Sequence, residues 1–112
     1  MGQSILQGNG GGGLTKTQLW SGSTTGTISV DTSDYELIGI STVHNGATQE
    51  TILTKSSRWQ VIGTNYTNTN ERSGAVAKNV KINSNSIQQS SSYWVLNGNY
   101  ISDPITAVYG YK

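Results

Sequence analysis

From Leu14 to the end of the chain, short apolar and β-branched runs break off about every ten residues at Gly, Asn, Ser or Asp, and no window repeats its apolar residues at helical spacing. That pattern leaves little besides a domain of short strands. The spacing predicts strands over 17–21, 27–30, 36–43, 50–54, 58–63, 75–82, 92–97 and 105–109, each rich in Val, Ile, Thr, Tyr or Trp. Helix should be negligible, because Ser, Thr, Asn and Gly fill the intervals. About eight short strands in one domain-sized chain predict an all-β fold, an antiparallel β-sandwich or jelly roll. Pattern alone does not give the strand order, and no internal repeat is evident.

Only 33% of the 112 residues are hydrophobic, so the core must be thin. A formal net charge of +1 still argues for a folded chain, since disorder of this composition would need stronger charge repulsion. A thin core makes burial against neighbouring subunits useful, and self-association is expected.

Residues 1–14 stand apart. Ile5 and Leu6 precede the run Gly8, Asn9, Gly10, Gly11, Gly12, Gly13, whose backbone freedom makes it expensive to order. The division expected is therefore a flexible glycine-rich arm over 1–14 and a β module over 15–112. Ile5 and Leu6 are the candidate anchor of the arm on another protein, with a frayed terminus as the plainer reading. Gly8, Gly10 and Gly13 match the spacing of a dinucleotide fingerprint. That motif works only between a buried strand and a helix, and neither flanks it here.

Charge and motif content exclude several functions. The seven Lys and Arg residues are dispersed, which disfavours nucleic acid as a partner. Without cysteine there is neither a disulfide nor a zinc–thiolate site. The longest apolar run, from Tyr93 through Leu96, is far too short to cross a bilayer, and the amino terminus does not read as a secretion signal. No cofactor is implied and no catalytic residues are assigned. His44 is the single histidine, beside Asn45 and Gly46 in a predicted hairpin turn, and is expected to be solvated. No serine sits in a nucleophile elbow. Among the carboxylates, Asp31 and Asp34 flank a turn that offers oxygen ligands for calcium, but an Asp-initiated turn accounts for them equally well, so no metal site is assigned.

Two polar stretches, 65–73 and 83–91, are predicted to be surface connections. The first offers Tyr66, Asn68, Asn70 and Arg72 as candidate ligand-binding residues: a ring for stacking, with amide and guanidinium groups for bonding sugar hydroxyls. The bland alternative is an ordinary hairpin end. Trp59 and Trp94 lie in apolar strand runs and are expected in the core, and Trp20 is expected to be structural.

The sequence Leu19, Trp20, Ser21, Gly22, Ser23, followed by Gly26, Thr27, Ile28, Ser29, Val30 and by Asp34, Tyr35, Glu36, Leu37, Ile38, resembles the opening of a β module found in tail and other minor structural proteins of phages of Gram-positive bacteria. The ending Ile105, Thr106, Ala107, Val108, Tyr109, Gly110, Tyr111 is similar to that module's last strand. The middle, 44–92, carries no such likeness. In that family the module ends baseplate, fibre or receptor-binding proteins, commonly as a trimer facing the host. The resemblance implies a homotrimeric virion protein on the particle surface, in contact with other virion proteins and attaching to host cell-wall saccharide, without membrane insertion. The alternative it leaves open is a purely structural head decoration, head fibre or tail connector held by the arm.

Overall fold

The computed structural model describes residues 14–67, 73–95, 100–101 and 103–112. Among the described residues ten strands run in chain order: β1 Lys16–Thr24, β2 Ile28–Ser29, β3 Leu37–His44, β4 Ala47–Thr54, β5 Gln60–Thr67, β6 Ser73–Ile82, β7 Ser86–Gln89, β8 Ser92–Trp94, β9 Tyr100–Ile101 and β10 Ile105–Tyr111. No helix occurs among the described residues. The all-β expectation holds, with ten strands in place of about eight.

Every strand pair is antiparallel, and the strands form two sheets. One has the order β1-β10-β3-β4. In the other, β6 is central: β5 lies on one edge, while β7 and β8 lie end to end along the opposite edge and are extended by β2 and β9 respectively. Alternation in each strand sends one set of side chains between the sheets. That set includes Ile38 and Ile40 of β3, Ile62 of β5, Val80 and Ile82 of β6, Ile87 of β7, and Ile105 and Val108 of β10. Each of these large aliphatic side chains contributes on the order of 1.5–3 kcal/mol by leaving water, enough for a thin core to hold two sheets together.

The sandwich is closed on one side and open on the other. On the closed side β4 meets β5 through side-chain bridges: the Asn65 N–H donates to Gln49 Oε1 at 2.7 Å, and Gln60 Nε2 donates to the Thr54 carbonyl at 2.8 Å. Deeper in, the buried hydroxyls of Thr42 and Thr64 bond to each other across the two sheets. On the open side the link between β1 and β2 lies over β7, and Gln89 Nε2 holds it by donating to the carbonyls of Thr24 (3.0 Å) and Gly26 (2.7 Å).

β3 and β4 form a hairpin whose two-residue turn is Asn45-Gly46, as expected. Both turn residues have positive φ, 48° and 80°, the geometry that matches the twist of the flanking strands. The chain ends of the domain are also tied, since Thr15 N–H donates to the Lys112 carbonyl at 2.7 Å and Lys112 N–H returns the bond at 3.2 Å.

The structure corrects three local expectations. The stretch 83–91 is not one loop, because it contains β7: Ile87 supplies a fully buried core residue and Asn83 turns the chain by bonding Ser86. Trp59 is not core. It precedes β5, in which Ile62 and Thr64 face inward, so the ring is 50% exposed, near the outward-facing Val61. His44 is not solvated; it is 9% exposed, for the same parity reason that buries Ile38, Ile40 and Thr42 before it.

Candidate functional site

The chemistry of this domain gathers at the open side of the sandwich, around a lysine. β6 alternates Val76, Lys78, Val80, Ile82 toward the interior, and Lys78 is only 2% exposed. Its Nζ donates to Gln89 Oε1 at 2.6 Å and to the backbone carbonyl of Asp103. Burial pulls the ammonium down from its ordinary range to about 8, and the Asp103 carboxylate partly offsets this.

The strand beside Lys78 is broken. Val80 pairs with Gln89 and Ala77 with Tyr93, so Ser90, Ser91 and Ser92 stand opposite only two residues of β6, Lys78 and Asn79. This extra residue is a β-bulge, the device by which sheets re-aim side chains and open local space. Asn79 closes it on one side: its N–H donates to Ser90 Oγ at 2.9 Å and its carbonyl accepts the Ser90 N–H at 2.9 Å. The result is a recess of about 260 Å³ lined by Thr25, Lys78, Gln89, Ser90, Ser91, Ser92 and Ile101. Four hydroxyls, an amide and an ammonium surround a single aliphatic side chain. Gln89 is held from both ends, its Nε2 on the β1–β2 link and its Oε1 on Lys78, so the wall of the recess is preorganised.

Behind the lysine, His44 Nδ1 donates to Asp103 Oδ1 at 3.0 Å, and the imidazole meets the Trp94 ring edge-on, with centroids 4.8 Å apart. The Asp103 backbone N–H donates to Ser92 Oγ at 3.3 Å. His44, Trp94, Asp103 and Lys78 thus form one buried polar group joining the two sheets. Ser92 Oγ is directed at the Asp103 backbone, not at His44, so these residues do not make a nucleophilic triad.

A second polar group sits on the outer face of the other sheet. Lys16 Nζ lies 2.8 Å from Glu50 Oε1 and 4.1 Å from the centre of the Tyr109 ring, and the Tyr111 hydroxyl donates to Glu50 Oε2. The bond to Glu50 raises the Lys16 pKa, and burial together with that carboxylate raises the Tyr111 phenol. Lys16 is exposed while Glu50 and Tyr111 are half-buried, and the three groups satisfy one another. Aromatic surface lies on the outer face of the six-stranded sheet, where Tyr100, 80% exposed, stands opposite Tyr93.

Of the ligand residues expected from sequence, Tyr66 contributes backbone to β5, opposite Gly74, while Asn68, Asn70 and Arg72 lie outside the described residues. Ile5 and Leu6 do so as well. Asp31 forms the expected turn, accepting from the Ser33 N–H at 2.9 Å and its hydroxyl at 2.6 Å, which lowers its pKa. Among the described residues no group of three potential ligands could hold a metal ion. Sequence reading missed Lys78, Gln89 and the bulge. The available signal was a lysine at an inward position between Val76 and Val80. Searches against protein-family models and against curated proteins found no match for this chain.

Proposed function

We propose that this chain is a displayed β-sandwich module of a bacteriophage particle, assembled as a homotrimer, that attaches the particle to saccharide on the host surface through the recess at its open side. The recess carries this reading. It offers several hydroxyls, a fixed amide and a buried cation around the Ile101 side chain, a composition suited to a polyol and ill suited to an apolar ligand. The stretches that resemble the phage module support the setting, because the run from Leu19 to Ser23 lies in β1 and the ending Ile105–Tyr111 is β10, and these two strands pair, with Trp20 opposite Val108. The role is adhesion without turnover: three weak sites on one rigid body raise avidity by orders of magnitude.

Ser91 is exposed at the recess, so Ser91→Trp fills the space without removing a core group. The expected outcome in a pull-down on host cell walls is at least a tenfold loss of retention, with oligomeric mass unchanged. Retention unaffected by this change would move the role to a structural decoration or connector anchored by residues 1–14.

A further inference from the structure

We infer that one internal water molecule is built into the sandwich behind the recess, accepting a hydrogen bond from the Lys78 ammonium and donating one to the Asp103 carboxylate. The inference does not depend on the attachment role.

Lys78 and Asp103 are both buried and bear opposite charges, yet no ion pair within 4.0 Å joins them. Each is left one hydrogen bond short. The ammonium has three donors and uses two, to Gln89 Oε1 and to the Asp103 carbonyl. The carboxylate accepts from His44 Nδ1 at Oδ1, while Oδ2 is buried with no partner among the described residues. Two opposite charges held apart in this way are costly, because a low-dielectric interior magnifies every bond that a buried ion fails to make.

The space beside them has the size and lining that would relieve this cost. A cavity of about 10 Å³ presents Thr42, Thr64, Lys78, Ser92 and Asp103 on an otherwise aliphatic wall. One water needs roughly 10–15 Å³ and two to four polar partners. Nothing larger fits, and among species of this size the ammonium repels a cation and the carboxylate repels an anion. A neutral water serves both: its oxygen accepts from Nζ and one of its protons goes to Oδ2, which turns a separated ion pair into a bridged one. The Thr42 and Thr64 hydroxyls bond to each other and so use one of their two protons. The other is available to the water oxygen as a third bond, the usual number for a buried water. Lys78 and Ser92 line both this cavity and the recess. The water therefore backs the recess wall, because fixing the ammonium also fixes the Gln89 amide bonded to it.

The full chain is tested in two ways. A high-resolution crystal structure should show a density peak about 2.7–3.2 Å from both Lys78 Nζ and Asp103 Oδ2. In solution, oxygen-17 magnetic relaxation dispersion, which is blind to proton exchange with hydroxyl and ammonium groups, should detect a water that stays longer than the protein takes to tumble. Thr42→Val/Thr64→Val removes both hydroxyls with little change of shape and little expected cost to the fold. In that variant the residence time of the water should shorten at least fivefold. An empty cavity in the crystal overturns the inference, as does a direct contact between Nζ and a carboxylate oxygen of Asp103. A native chain without a long-lived water also overturns it. So does a residence time unchanged in the double variant, which places the water elsewhere. Should that variant fail to fold, the crystal structure and the dispersion of the native chain decide.

Discussion

Lys78 occupies an inward position of β6 that its neighbours Val76 and Val80 fill with aliphatic carbon. Its folded pKa of about 8 is below the ordinary 10.5, so the folded state binds fewer protons than the unfolded state between those values. Below pH 8 both states are protonated and the full cost of burying the charge is present; stability contributed by this residue then rises with pH up to about 10.5. The slope is about 1.4 kcal/mol per pH unit and the total roughly 3 kcal/mol. Urea denaturation of the native chain and of Lys78→Met at several pH values should show the native chain gaining that amount relative to the variant. Lys16 and Tyr111, both raised, act in the opposite sense over this range, but they are common to both proteins and cancel. At pH 7 Lys78→Met should be less stable than the native chain by about 1–3 kcal/mol, because it leaves Gln89 Oε1 and the Asp103 carbonyl without their donor and the buried Asp103 carboxylate without its cation. Strand parity made this residue legible in the sequence, as it did His44, which follows Ile38, Ile40 and Thr42 on the inner face of β3. Each was hidden by its chemistry, because a lysine and a turn-adjacent histidine read as solvent-facing. Asp103, which joins them, lies 25 residues from Lys78 and 59 from His44, and no local pattern pairs residues so far apart.

At the scale of the element, β10 is the strand on which the first sheet depends, bonded to β1 on one edge and β3 on the other. Gly110 faces inward within it, and the Tyr35 ring lies against its Cα, so a β-carbon there would collide with the ring itself. Gly110→Ala should cost about 1–3 kcal/mol by thermal denaturation, as overpacking of a core position does. Most of that cost should disappear in the background of Tyr35→Ala, a double-mutant cycle that isolates the contact. The strands themselves were legible where β-branched residues alternate, as in β3 and β6. β7 was not, because Ser86, Gln88 and Gln89 have little strand propensity; neighbours on both edges and the burial of Ile87 impose the conformation. The recess escaped for a related reason. It arises where the strand opposite β6 gains one residue, and a bulge leaves no compositional mark in a run of three serines.

For the whole molecule, the all-β class followed from strand spacing, whereas the order β1-β10-β3-β4 required tertiary pairing between the two ends of the domain. The first described residues of the domain bond directly to its last. A chain lacking residues 1–13 should therefore retain its urea midpoint, within about 0.5 kcal/mol in stability. Under the proposed role the shortened chain should also remain trimeric by light scattering; a trimer lost with residues 1–13 would assign assembly to the arm and favour the decoration role.

The pairing of Thr15 with Lys112 also decides how the domain carries mechanical load. Tension applied to both ends would act across a single rung at a time and peel β1 from β10 at low force. Tension entering through one end and leaving through a ligand at the recess would instead be spread over both sheets and the contacts between them. A domain wired in this way comes apart readily when stretched between its own ends, and under the proposed attachment role it would resist being pulled off the surface it holds.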